Sequence, residues 1–311
     1  MLKSVEKNPA SAYFLVGPTA SGKSSISHYL AEQLRCAIVS SDSMNLYKGM
    51  DIGTAKPSKE ERKIIPYFGV DLVEPVEKFS VARYLDTVKP AFESSSIPIV
   101  CGGTGLYIKC LTEGFSSVPP ENKILRSKLE LLSVGELQEQ AKSAVPMVFS
   151  ALTIDDKQNP RRLIRILEKA IAGADFLKQK TWNKKSKPTL VGLYVERKLL
   201  HQRIAERVEK MYDAGLLEEA RQLAKKPLSP TALQAIGYAE AFGVLNNELT
   251  LDEAKERTII RTRQLAKRQM TWFRNQLNVE WIDTALFPTK QELAEAILKA
   301  WKKSGPTLVS T

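Results

Sequence analysis

Residues 17–26 read GPTASGKSSI and follow directly on the apolar run AYFLV at 12–16. Gly17, Gly22, Lys23 and Ser24 satisfy the spacing G-x-x-x-x-G-K-[ST], the loop that cradles phosphates between a strand and a helix. The context agrees, with a strand pattern at 12–17 and a helical pattern at 24–35. In such a loop the glycines let several N–H groups point inward at anionic oxygens, at the positive end of the helix dipole. Lys23 adds a full charge, and the Ser24 hydroxyl is placed to ligate Mg²⁺. The loop does not say which phosphate ester it takes. An ordinary P-loop ATPase has an aspartate ending a later apolar strand as a second Mg²⁺ support. Here IPIVCGGTG (97–105) ends in Cys101 and two glycines, which argues against routine ATP hydrolysis.

Outward from the loop, CAIVSS (36–41) and IPIVCG (97–102) read as further buried strands, with a helical pattern at 80–92 between them. Strands alternating with helices predict an α/β fold, a P-loop NTPase-like parallel sheet covered by helices on both faces. After about residue 115 the texture changes. SSVPPENK (116–123) is a turn-rich break, helical patterns follow at 124–132, 134–143 and 161–172, and KQKTWNKKSKP (178–188) reads as an exposed basic loop. TLVGLYV (189–195) then returns as a strand. The expected organisation is a P-loop core of 1–115 and 188–311, ending in a helical part, with 116–187 as a mainly helical inserted domain. A late strand is expected at 279–283 and a closing helix at 290–302.

CAIVSSDSMNLYKGMDIGTAKP (36–57) sets Asp42 just past the carboxyl end of a strand, the edge where open parallel sheets bind ligands. A carboxylate there can ligate Mg²⁺, position a hydroxyl or act as a general base, or it can simply cap a turn. Asp51 and Thr54 are not separable from turn chemistry on sequence alone.

Composition narrows the partners. Lys and Arg number 46 against 35 Asp and Glu, a net +11 that suits a polyanion. RTIIRTRQLAKRQMTWFR (257–274) holds Arg257, Arg261, Arg263, Lys267, Arg268 and Arg274 with no acid, and Trp272 and Phe273 adjoin them. Stripes of this kind suit RNA phosphates and stacked bases, the alternative being a solvated face with core anchors. No apolar run approaches the roughly 20 residues of a membrane helix, and the N-terminal apolar stretch of about five residues is too short for a secretory signal, so a cytoplasmic address is expected. Cys36, Cys101, Cys110, His28 and His201 lack the spacing of a zinc site and read as structural. The sequence carries no oligomer signal, and a monomer is the default expectation.

GPTASGKS (17–24), DSMNLYKGMDIGTAKP (42–57), GGTGLY (102–107), NPRRLIRILE (159–168), LLHQRIAERV (199–208), QAIGY (234–238) and TRQLAKRQMTWFR (262–274) together resemble, in order, the signatures of the tRNA dimethylallyltransferases (tRNA isopentenyltransferases) of bacterial type. The resemblance implies transfer of a dimethylallyl group from dimethylallyl diphosphate to an adenosine exocyclic amine. The acceptor base is the one 3′ of the anticodon in tRNAs reading codons that begin with U, so the RNA partner is the tRNA anticodon stem-loop. It implies that the loop residues Gly17, Pro18, Thr19, Ala20, Ser21, Gly22, Lys23 and Ser24 hold the donor diphosphate with Mg²⁺, helped by Arg197 and Arg203. It implies Asp42 as the base, Thr104 in the reaction channel, and base flipping of the acceptor. Asp42, Ser43, Met44, Asn45 and Thr104 are implied as tRNA contacts. So are Arg126, Arg161, Arg162, Leu163, Ile164 and Arg165 in the insertion, with Arg263, Lys267 and Arg268 on the basic helix. The chain departs from the family pattern at Ser24 for threonine, Asn45 for glutamine, and Tyr67–Phe68 for paired histidines.

Overall fold

The computed structural model describes residues 10–114, 122–173 and 188–310. Most of the turn-rich break at 116–123 and of the basic loop at 178–188 lies outside the described residues. Seven strands form one sheet: β1 (Ser11–Val16), β2 (Ile38–Ser40), β3 (Tyr67–Phe68), β4 (Ile99–Gly102), β5 (Thr189–Tyr194), β6 (Asn278–Asp283) and β7 (Thr307–Leu308). The order is β3-β2-β4-β1-β5-β6, all parallel, and β7 adds antiparallel to the start of β1. The register pairs Ser40 with Cys101, and Val16 with both Gly102 and Gly192. The carboxyl ends of β2, β4 and β1 therefore finish level, with β5 running two residues further to Tyr194, and the segments that follow them emerge along one edge.

Both faces of the sheet are buried, which is why its strands read as continuous apolar runs. The pleat splits them by alternation. Phe14, Val16, Val39 and Val100 enter one core with Tyr84, Tyr107, Tyr238 and Phe273. Leu15, Ile38, Ile99 and Val191 enter the other with Ile26, Leu30, Ile297 and Trp301. The helices Lys23–Leu34 and Lys290–Ser304 cover the second face. There the Trp301 indole N–H donates to the Phe14 carbonyl at 3.1 Å and its ring stacks on Tyr13. The helices Val81–Val88, Gly105–Glu113, Arg197–Asp213, Tyr238–Leu245 and Leu251–Gln276 bring residues to the first face.

The chain divides into two compact units, Met1–Phe115 with Lys184–Thr311, and Ser116–Asn183. The second unit is helical where described, with its own small core of Leu129, Leu137, Ala141, Leu163, Ile164 and Leu167. Its Pro160–Ile171 helix starts where the sequence dictates. Asn159 accepts the Arg162 N–H as N-cap, and Pro160 occupies the first turn, where no backbone donor is needed.

Candidate active site

β1 delivers the chain into the glycine loop. Ala20 (φ 62°) and Gly22 (φ 87°) are left-handed, a backbone conformation that turns successive N–H groups to one side. Gly22 caps the Lys23–Leu34 helix with no side-chain hydrogen bond and no acid in the first turn, so the helix presents bare N–H groups to an anion. Lys23 is buried, with Nζ donating to the Pro18 carbonyl at 3.0 Å. Burial pulls its pKa below the ordinary lysine value, Cys101 and Asp42 oppose that shift, and Arg207 adds to it. Ser24 is exposed at the helix start. The buried hydroxyls of Ser21, Ser27 and Ser41 accept or donate no conventional hydrogen bond among the described residues.

Asp42 and Thr104 leave the neighbouring strand ends and are laced together. The Ser41 N–H donates to the Cys101 carbonyl at 2.8 Å, and the Thr104 N–H donates to the Ser41 carbonyl at 3.0 Å. The Ser43 N–H donates to Thr104 Oγ1 at 3.0 Å. Asp42 Oδ1 accepts the Met44 N–H at 2.9 Å, and Oδ2 has no hydrogen-bond partner among the described residues. The half-buried carboxylate acts electrostatically on both Lys23 and Arg207. Asn45, expected at the acceptor base, is turned inward. Its Nδ2 donates inward to Ser40 Oγ at 3.2 Å, and its Oδ1 is buried and unpartnered, so the shorter amide is drawn under the loop.

Two residues that the sequence reading passed over complete the site. Arg207, one turn after Arg203 on the Arg197–Asp213 helix, donates from Nη1 to Thr19 Oγ1 at 3.2 Å and from Nη2 to the Thr54 carbonyl at 3.5 Å. Burial lowers its pKa and Asp42 opposes that. Arg203 is half-buried and makes no hydrogen bond among the described residues, and Arg197 is exposed and does not touch the loop. Of the three arginines on this helix, Arg207 is the one whose hydrogen bonds reach the loop among the described residues. Gln269 accepts the Thr19 N–H at 2.8 Å and donates to the Gly103 carbonyl at 3.1 Å. The i, i+4 repeat from Arg203 was the available signal for Arg207.

DIGTAKP (51–57) has a structural basis. The Asp51, Ile52 and Gly53 N–H groups converge on the Glu219 carboxylate, which also accepts the Tyr238 hydroxyl at 2.5 Å. Lys56 bridges Asp51 and Asp71 at 2.6 Å each. The cluster fixes Thr54, whose carbonyl receives Arg207.

The basic segment lies on the Leu251–Gln276 helix, and its charges are not equivalent. Arg261 is neutralised by buried Glu240 and also donates to the Gln234 carbonyl, so it leaves the expected stripe. Phe273 is fully buried, and the Trp272 ring lies where a side chain on Gly105 would sit. Phe273 is thus a core residue and Trp272, partly buried, packs against the same core, the anchor alternative of the two readings. Arg263 and Lys267 face a groove of about 590 Å³ with Arg197, His201 and Arg274, floored by Val195, Leu200, Ala266 and Met270. The His201 pKa is lowered by burial and then by Arg263 and Arg197. Val195, Leu200 and Ala266 also pack with Ala20 of the phosphate loop. Arg268 is exposed outside this groove.

In the second unit, Arg126 and Arg165 share the buried Glu168 carboxylate at 2.5 and 3.0 Å, and Arg162 pairs with Asp156 at 2.6 Å. Leu163 and Ile164 are buried in that unit's core. Within the second unit Arg126, Arg162 and Arg165 are thus engaged in ion pairs, and of the arginines expected there Arg161 is exposed with no ion-pair partner among the described residues.

Fold and site define a P-loop α/β protein in which a carboxylate, rather than a second acidic strand end, faces the phosphate loop across the sheet edge. Residues 45–276 match the family described as IPP transferase, and residues 10–65 match isopentenyl transferase. The chain belongs to the IPP transferase family. It is 42% identical to a tRNA dimethylallyltransferase of Anoxybacillus flavithermus, over 86% of this chain and 89% of the relative. Identity to the tRNA dimethylallyltransferase of Pelotomaculum thermopropionicum is 37%, over 92% and 94%. Among solved structures it is similar to the full-length tRNA isopentenylpyrophosphate transferase of Bacillus halodurans (TM-score 0.67, 33% identity, 95% and 98% covered). It is also similar to a eukaryotic dimethylallyltransferase acting on tRNA (TM-score 0.76, 25% identity, 94% and 79% covered). Among the described residues no helix is long and apolar enough to cross a membrane.

Proposed function

We propose that this chain moves a dimethylallyl group from dimethylallyl diphosphate to the exocyclic amine of the adenosine 3′ of the anticodon, in tRNAs reading codons that begin with U. The observation that carries the reading is that the Asp42 carboxylate, just past β2, and the loop past β1 with Lys23 emerge along one sheet edge, with Arg207 bonded to Thr19 of that loop. One side of that arrangement is an anion cradle and the other is a base.

The adenine amine is a weak nucleophile because its lone pair is delocalised into the ring. As its nitrogen bonds to the allylic carbon, the carbon–oxygen bond to diphosphate breaks and the nitrogen must lose a proton. Asp42 is placed to take that proton through Oδ2, while Oδ1, held by the Met44 N–H, keeps the carboxylate oriented. Charge growing on the departing diphosphate is met by the bare N–H groups of the helix start, Lys23 and Arg207. Thr104 orients the Asp42 segment through Ser43.

The residues fit Mg²⁺ carried on the diphosphate. Ser24 is free at the helix start, and no cluster of three or more His, Cys, Asp or Glu able to hold a metal occurs among the described residues. Mg²⁺ keeps most of its waters and binds through substrate phosphates with one or two protein oxygens. When bound it would supply further positive charge to the leaving diphosphate, with the Ser24 hydroxyl as the protein oxygen that would hold it. Arg263, Lys267 and Arg268, with Arg161 in the second unit, are phosphate contacts for the anticodon stem-loop.

The test is incubation with dimethylallyl diphosphate and tRNA, followed by digestion to nucleosides and mass spectrometry. A dimethylallyl adenosine is expected. Turnover of ATP with a nucleoside acceptor and no modified adenosine would contradict the reading.

A further inference from the structure

We propose that Gln269 is a positioning residue for the transfer, holding the leaving-group loop and the acceptor-side turn at a fixed separation. The inference rests on the function proposed above. One amide spans the two halves of the site. Its Oε1 accepts the Thr19 N–H at 2.8 Å, and its Nε2 donates to the Gly103 carbonyl at 3.1 Å. Thr19 belongs to the phosphate loop and also receives Arg207 on its hydroxyl. Gly103 precedes Thr104, whose N–H and hydroxyl tie Ser41 and Ser43, the two neighbours of Asp42.

The backbone at 103 is shaped for this contact. A Cβ on Gly103 would collide with Gln269 Nε2, so the amide occupies the space that a side chain would fill. Gln269 is a partly buried residue on the inward side of its helix, near buried Ala266 and Phe273. A leucine of similar size would keep the packing but leave the Thr19 N–H and the Gly103 carbonyl unpaired. The loop and the turn could then drift apart by a fraction of an ångström. A misplacement of about 1 Å between reacting groups costs about 100-fold in rate. The amide touches no reacting atom in this account, so its effect belongs in kcat rather than in donor KM.

The position also links the site to the RNA-facing side of the same helix. Lys267 and Arg268 immediately precede Gln269, so a phosphate drawn onto that turn bears on both the loop and the Thr104 turn through one side chain.

The experiment compares wild type with Gln269→Leu and Gln269→Glu, with dimethylallyl diphosphate varied up to saturation and an anticodon stem-loop RNA held saturating. For Gln269→Leu, kcat is expected to fall about 10- to 100-fold with donor KM within about threefold. Gln269→Glu keeps an acceptor for the Thr19 N–H but sets a carboxylate against the Gly103 carbonyl. Its kcat relative to wild type is expected to rise as pH falls into the carboxyl range, where a neutral acid again donates to Gly103. A Gln269→Leu kcat within about twofold of wild type overturns the proposal. So does a loss that disappears at temperatures where the variant is fully folded. Should the leucine variant not fold, a pH-independent Gln269→Glu ratio overturns it instead. Absence of transfer by wild type sinks the functional reading, whereas equal transfer by wild type and variants sinks only this inference.

Discussion

Replacing Lys23 with methionine separates what the loop does for binding from what it does for folding. The ammonium is buried, and its main perturbation is desolvation, which lowers its pKa below that of an unfolded lysine. Each pKa unit of that lowering is about 1.4 kcal/mol by which the folded state disfavours the charge. The Pro18 carbonyl that Nζ touches also accepts the Ser21 N–H at 3.3 Å, so methionine does not leave it bare. The ligand-free variant is therefore expected to melt higher, by about 2–4 °C for each ~1 kcal/mol regained in a unit of about 240 residues. The sign with pH follows from linkage. Between the lowered folded pKa and the ordinary lysine value, the unfolded chain holds a proton that the folded chain has lost. Stability contributed by Lys23 therefore rises with pH across that window, and the methionine variant lacks this rise. Diphosphate binding moves the opposite way. Loss of one charge-assisted hydrogen bond, about 1.5–3 kcal/mol, weakens the affinity roughly 10- to 150-fold. Differential scanning fluorimetry without ligand and calorimetric titration with inorganic diphosphate and Mg²⁺ read the two effects. A variant that melts lower, or that binds diphosphate as wild type does, would refute the reasoning.

Other expectations are narrower. Arg207→Ala should weaken inorganic diphosphate binding more than Arg197→Ala does, because only Arg207 touches the loop; equal effects in the same titration would contradict that assignment. Substituting Arg263 and Lys267 together with alanine should flatten the salt dependence of stem-loop binding by roughly 0.7 per lost contact, and an unchanged slope in filter binding would make them ordinary surface. Gly105→Ala should cost about 1–3 kcal/mol in denaturant unfolding, since its Cβ meets the Trp272 ring.

Features set by short-range patterns were legible in the sequence. The glycine spacing placed the phosphate loop, apolar runs placed β1, β2, β4 and β5, and the strand end placed Asp42 at the sheet edge. β3 and β7 are two residues each, too short for any period to register. What escaped was fixed by chain closure. Arg207 meets Thr19 across 188 residues and Gln269 meets it across 250, so neither contact leaves a local signal. Charges read from one segment alone were also misjudged. Arg261 and Arg126 resemble free RNA ligands until Glu240 and Glu168 arrive from elsewhere in the fold, whereas Arg165 meets Glu168 three residues on along its own helix, a local spacing that the sequence already held. DIGTAKP pointed correctly to the family, yet its anchoring by Glu219 depends on a helix more than 150 residues away.

The central claim is that the loop holds a departing diphosphate while Asp42 takes the proton of an RNA amine. Single-turnover transfer from labelled dimethylallyl diphosphate to an anticodon stem-loop, by wild type and Asp42→Asn, tests it most directly. Asparagine keeps an oxygen for the Met44 N–H and removes the base. The account predicts a fall of about 100-fold or more in the transfer rate, with donor affinity near that of wild type. Transfer at an undiminished rate in Asp42→Asn would contradict it.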